Sequence, residues 1–135
     1  MDRGKELEDK FEKWCKELDI YYKRLYDARS GVSGGSQPAD FYIYLDKRLI
    51  YIECKHINAQ RISFSGIRPS QYKAAMKAFK YNIEYYLIIE FDDDIRLLNM
   101  KYFIEIAKMS DSKSFPCSGI KLEKSADFKS FLTPL

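Results

Sequence analysis

Residues 40–46 (Asp-Phe-Tyr-Ile-Tyr-Leu-Asp) and 48–55 (Arg-Leu-Ile-Tyr-Ile-Glu-Cys-Lys) are rich in aromatic and β-branched residues, and Asp46-Lys47 between them is short enough for a tight turn. The pattern predicts a β-hairpin. Successive side chains on a strand point to opposite faces, so Glu53 and Lys55 share one face while Ile52 and Cys54 point to the other, toward a core. Pairing across the turn carries the start of the first strand toward the end of the second, which brings Asp40 near Glu53.

That convergence has chemical content. Magnesium takes hard oxygen ligands and keeps several waters, so two carboxylates and a substrate phosphate suffice to hold it. An ammonium two residues beyond the second carboxylate can orient the attacking water or stabilise charge on a phosphorane-like transition state. The plainer reading makes Asp40 a turn residue after Pro38 and makes Glu53 and Lys55 a solvated ion pair. Against it, the strand around Glu53 is apolar on both sides, and a charge at the end of a buried strand calls for a reason.

The sequence resembles the PD-(D/E)xK nuclease superfamily and, within it, the Holliday junction resolvases of RecU-like and archaeal, Hjc-like type. Four features carry the resemblance in the family's order: Gly4-Lys5-Glu6-Leu7-Glu8, Pro38-Ala39-Asp40-Phe41, Glu53-Cys54-Lys55, and Ser63-Phe64 with Gln71. The resemblance implies that Glu8, Asp40 and Glu53 surround the metal, magnesium with manganese as a possible substitute, while Lys55 assists the water. Gln71, in the first turn of the following helix, reads either as a catalytic residue that positions the water or a phosphate or as a residue that simply starts the helix. Ala39 interrupts the Pro-Asp pair of the superfamily's name. Only Asp27 to Gln37 is available for the long stalk of the RecU-like enzymes. The Ser30 to Ser36 stretch looks more like the Ser/Gly-rich loop of the archaeal type, where Ser33 or Ser36 contacts a phosphate or belongs to a solvated turn.

Length and composition set outer limits. With 135 residues, 46% of them hydrophobic, the chain is expected to form a single nuclease domain over residues 1–135. No run approaches the roughly 20 apolar residues of a membrane span, and the charged start lacks a signal-peptide core, so an intracellular protein of cytoplasm or nucleoid is expected. The three cysteines, Cys15, Cys54 and Cys117, are odd in number and widely spaced. They read as core thiols rather than a disulfide framework or zinc site. The single histidine, His56, reads as a surface residue.

Net charge is only +3, but its distribution is uneven. From Lys55 to Lys80 the chain carries Lys55, Arg61, Arg68, Lys73, Lys77 and Lys80 and no Asp or Glu. Residues 70–81 are expected to form an amphipathic helix with Tyr72, Ala75, Met76 and Phe79 as its apolar stripe and Pro69 and Ser70 as start signals. Lys73, Lys77 and Lys80 fall on a separate stripe. It is either a solvated face or, with Arg61 and Arg68, a surface that follows a DNA backbone.

Elsewhere, Leu7, Phe11, Trp14 and Leu18 recur at helical spacing with Glu8 beside them. Ile20 to Tyr26 reads as a first strand and Tyr85 to Phe91 as a buried central one. Asp92-Asp93-Asp94 reads as a turn, lacking the Gly and distal Glu of a calcium loop. Ile95 to Leu98 reads as a further strand, Met100 to Ala107 as a helix, Ser110 to Gly119 as a loop, and Phe128, Phe131 and Leu132 as a terminal helix. This order predicts an α/β, restriction-endonuclease-like sandwich with a mixed central β-sheet flanked by helices. The expected activity is a structure-selective DNA endonuclease of recombination and repair acting on four-way junctions. The expected assembly is a homodimer, with no membrane partner. Another nuclease of the superfamily, cutting flaps, ends or restriction sites, and a catalytically silent DNA-binding module are the alternatives.

Overall fold

The structure, a computed structural model, describes residues 3–26, 37–58, 61–111, 113–117, 120–122 and 124–132. In chain order the elements are α1 (Arg3–Glu17), β1 (Tyr21–Arg24), β2 (Phe41–Leu45), β3 (Arg48–His56), β4 (Arg61–Ser63), a 3-10 turn (Phe64–Gly66), α2 (Pro69–Lys80), β5 (Glu84–Phe91), β6 (Asp94–Asn99), α3 (Met100–Met109), β7 (Ser114–Pro116), β8 (Ile120–Lys121) and α4 (Ser125–Leu132). Six strands form one sheet in the order β1-β2-β3-β5-β6-β8, and β4 pairs with β7 apart from it. Among the described strands only β3 and β5 run parallel; the remaining pairs are antiparallel. A parallel pair needs a long connection, and β4, the 3-10 turn and α2 supply it.

Two hairpins follow from local chemistry. Asp46 and Lys47 between β2 and β3 have φ of 53° and 63°, and Asp92 and Asp93 between β5 and β6 have φ of 46° and 60°. A two-residue turn with both central residues at positive φ twists in the sense the flanking strands require, and aspartate tolerates that region better than most residues. The expected β2–β3 hairpin is therefore present, and its register opposes Phe41 to Ile52.

Period-2 alternation divides the core between the two sheet faces. Phe41, Ile43, Ile50, Ile52 and Ile88 pack with Leu7, Phe11 and Cys15 of α1 and Phe128 of α4. Tyr85, Leu87, Ile89 and Leu98 pack with Ala75 and Ala78 of α2 and Met100, Phe103 and Ile104 of α3. Phe11 meets Phe41 and Phe128 edge-on at centroid distances of 4.8 and 5.1 Å. Such pairs contribute about 0.5–1.5 kcal/mol each beyond burial, and here they fasten α1 to β2 and α4.

Three expectations need correction. The buried stripe of α2 is Gln71, Ala75 and Ala78, whereas Tyr72 and Met76 are exposed and Phe79 is only partly buried. Two alanines let the helix lie close to the sheet, and this rotation turns the polar Gln71 inward. The expected loop from Ser110 to Gly119 contains β7, whose partner β4 is equally short. Finally, His56 is not a plain surface residue: it is half-buried on β3, with Nδ1 3.1 Å from Oε1 of Glu90, whose other oxygen meets Nζ of Lys10 at 3.3 Å. All three cysteines are free thiols, with Cys15 and Cys117 buried. No described helix is long and apolar enough to cross a membrane.

Candidate active site

Asp40 sits immediately before β2, and three hydrogen bonds fix it and its approach. Its Oδ2 accepts from the Cys54 backbone N–H at 2.8 Å. Its carbonyl accepts from the Leu25 N–H at 2.8 Å. Two residues upstream, the Pro38 carbonyl accepts from the buried Tyr85 hydroxyl at 2.5 Å. The hairpin register thus brings Asp40 to the end of β3, as the strand pattern predicted.

Glu53 is nearly buried, 9% exposed, on the face of β3 that looks toward α2. Its Oε2 accepts a hydrogen bond from Nε2 of Gln71, itself 7% exposed. Gln71 Oε1 in turn accepts from the Arg68 backbone N–H at 3.1 Å, so the first turn of α2 orients the amide. Burial, and then the charge of Asp40, push the Glu53 carboxyl up to about 8, while Arg68, the Asp40 backbone amide and Lys55 act in the opposite direction. The negative charge of Asp40 thus disfavours the ionised form of Glu53.

Lys55 lies on the same face, half-buried, with Nζ donating to the Gly66 carbonyl at 2.7 Å. Desolvation moves its pKa below the ordinary lysine value; Glu53 opposes that shift and the Arg68 charge adds to it. Asp40, Glu53, Lys55, Gln71 and Arg68 therefore form one electrostatic cluster at the carboxyl end of β3.

Glu8 approaches from the other side of the sheet, on α1. Its Oε1 lies 3.5 Å from Nη2 of Arg24, whose Nη1 also holds Asp9 at 2.7 Å and Glu12 at 3.2 Å. The Arg24 guanidinium packs 5.5 and 5.7 Å from the ring centroids of Tyr26 and Phe41. The fields of Asp40, Glu8 and Glu53 all reach the Cys54 thiol and, after burial, raise its pKa. The field of Glu8 thus reaches the same strand end, although among the described residues no group of three His, Cys, Asp or Glu side chains has metal-site geometry.

The remaining candidates are dispersed. Arg61 on β4 donates from Nε to Ser114 Oγ at 2.8 Å and from Nη2 to the Ser114 carbonyl at 3.1 Å. Lys73, Lys77 and Lys80 are exposed along α2, whose N-cap Arg68, a member of the cluster at β3, is exposed as well. Ser33 and Ser36 lie outside the described residues. Sequence reasoning missed Arg24, Tyr85 and Gly66. A tyrosine inside the apolar run of β5 was the one available signal, since a buried hydroxyl needs an acceptor.

The chain's fold is similar to that of Archaeoglobus fulgidus Hjc, a Holliday junction resolvase from an archaeal hyperthermophile, with a TM-score of 0.55 over 90% of this chain and 89% of that one. The fold is Hjc-like. Sequence identity is 17%, and no family model and no curated protein matches the chain. The Hjc-like fold matches the expected restriction-endonuclease-like sandwich: a mixed sheet with a parallel β3–β5 pair, α1 and α4 on one face, α2 and α3 on the other.

Proposed function

We propose that this chain is a magnesium-dependent, structure-selective DNA endonuclease that cleaves four-way junctions. The observation that carries the reading is the convergence of Asp40, Glu53 and Lys55 at the end of β3, with Gln71 bonded to Glu53, on an Hjc-like fold.

The donor set fits a hard divalent cation. Asp40 and Glu53 offer carboxylate oxygens, and their mutual repulsion, which helps raise Glu53 to about 8, is the penalty that a cation relieves. Asp40, Glu53 and Glu8 would hold magnesium; the ion would supply Lewis-acid polarisation of the scissile phosphate. Gln71 keeps the Glu53 carboxylate in one orientation. Lys55 presents a cation to the attacking water and to the charge that develops on the phosphoryl oxygens. Arg61, Arg68, Lys73, Lys77 and Lys80 contact the DNA backbone, joined by Ser33 and Ser36. Because a four-way junction is cut at two symmetry-related points, the active form is a two-fold homodimer with one site per subunit.

The test is a substrate panel of four-way junction, flap and linear duplex, each incubated with magnesium or with a chelator. The expected result is paired nicking of the junction that the chelator abolishes. Equal cutting of flaps or ends would replace the resolvase reading with another nuclease of the superfamily, and junction binding without nicking would replace it with a DNA-binding module.

A further inference from the structure

The amine of Lys55 does not project freely from β3. It donates to the Gly66 carbonyl at 2.7 Å, and Gly66 is the last residue of the 3-10 turn that follows β4. A Cβ built on Gly66 would stand 3.2 Å from Nζ and 3.4 Å from Cε of Lys55, with no other atom of the described residues within van der Waals reach. The backbone at Gly66 lies outside the left-handed region, so the main chain itself does not demand glycine there. A side chain there would crowd the amine and displace it by about a few tenths of an ångström.

The turn is well anchored. Ser63 Oγ accepts from the Ser65 N–H at 3.2 Å and lies 2.7 Å from the Ser65 hydroxyl. The Phe64 N–H donates to the Lys113 carbonyl at 3.1 Å, β4 pairs with β7, and the Phe64 ring packs 5.3 Å from that of Phe103. A rigid carbonyl that accepts from a half-buried ammonium fixes the direction in which that ammonium points.

We infer that Gly66 is a positioning residue for Lys55: its carbonyl aims the amine and its missing side chain leaves room for it, so the small β4–β7 sheet serves to hold the lysine in place. The inference rests on the assignment of Lys55 to phosphodiester cleavage, but its first test does not require activity. Trace amine acylation of the whole chain, read by mass spectrometry at Lys55, should be severalfold faster in Gly66→Ala than in the parent, with an unchanged melting temperature. The second reading is single-turnover junction cleavage at saturating protein. Gly66→Ala should lower the rate by about tenfold to a hundredfold, the scale of a misplaced reacting group, and leave junction affinity within about twofold. In a Lys55→Met background the same substitution should cost nothing further. Ser63→Ala, which loosens the turn without adding volume, should shift both readouts in the same direction by less.

Unchanged labelling in folded Gly66→Ala and Ser63→Ala would overturn the inference, as would an equal loss of rate with and without Lys55. A parent that cleaves no DNA would overturn the nuclease assignment, while the labelling comparison would still decide whether Gly66 sets the amine's position.

Discussion

Gln71 donates its side-chain N–H to the carboxylate of Glu53, so the helix that connects the two parallel strands is tied at its first turn to the strand carrying the acid. Both groups are buried. Gln71→Ala removes the donor and leaves the Glu53 oxygen without that partner, which should lower stability by about 1–3 kcal/mol. Cleavage at saturating magnesium should fall as well, because Glu53 loses its fixed orientation. Denaturant melts and single-turnover rates measure the two effects, and a variant as stable and as fast as the parent would make the bond incidental.

Glu53 also gives the protein a pH signature. Its carboxyl is raised from 4.5 to about 8, first by burial and then by Asp40. Between those values the folded chain keeps a proton that the unfolded chain has lost. Without magnesium, the contribution of Glu53 to stability should therefore be greatest below the lower value, decline as pH rises through the window, and level off above about 8, by an amount on the order of a few kcal/mol. Glu53→Gln should remove most of that slope. Magnesium added at pH 7 should release about one proton, since only the ionised carboxylate is a ligand. Thermal melts across pH, and calorimetry in buffers of different ionisation enthalpy, check the two statements; parallel stability curves for parent and variant would remove Glu53 as the source.

Asp40 and Glu53 differ from Glu8 in their surroundings, and their variants should differ too. Asp40→Asn and Glu53→Gln should each abolish cleavage while junction binding persists, because the proposed phosphate contacts lie on other residues. Asp40→Asn should also lower the Glu53 pKa, since it deletes the like charge beside it. Glu8 already has a cation in Arg24 at 3.5 Å, so Glu8→Gln should slow cleavage less than either. Gel-shift and cleavage assays on one junction compare all three, and near-normal turnover by both Asp40→Asn and Glu53→Gln would sink the metal assignment.

Much of this site is legible in the sequence. The alternation in Arg48 to Lys55 and the two-residue turn Asp46-Lys47 fix which residues oppose one another, and that alone places Asp40 by Glu53 with Lys55 on the same face. The rotation of α2 is not legible. Tyr72 and Met76 look like core, yet the helix is set by Ala75 and Ala78 packing close to the sheet and by the bond from Gln71 to Glu53. Strands of two or three residues, such as β4, β7 and β8, are too short to display a period. Gly66, Tyr85 and Arg24 act through partners on other elements or loops, at Lys55, Pro38 and Glu8, and no local pattern announces such pairings.

The exposed lysines of α2, proposed to follow the DNA backbone, are testable as a group because such contacts depend on summed charge. Lys73, Lys77 and Lys80 belong to a segment with no acid from Lys55 onward, and all three are exposed. Replacing all three with Gln should weaken binding to junction and linear duplex alike. It should also flatten the dependence of log affinity on log salt by about 0.9 for every duplex phosphate that the variant no longer neutralises, because each neutralised phosphate releases condensed counterions. Junction preference should largely survive. Backbone contacts fix where the protein sits on a duplex arm, whereas telling a four-way junction from a linear duplex requires the spacing of two subunits on diverging arms. Folding should be unaffected, since these side chains are not part of either core cluster. The measurement is affinity for both DNAs across a salt series, parent against triple variant. A salt slope equal to the parent's would leave the stripe a solvated helix face and move the DNA path to another surface.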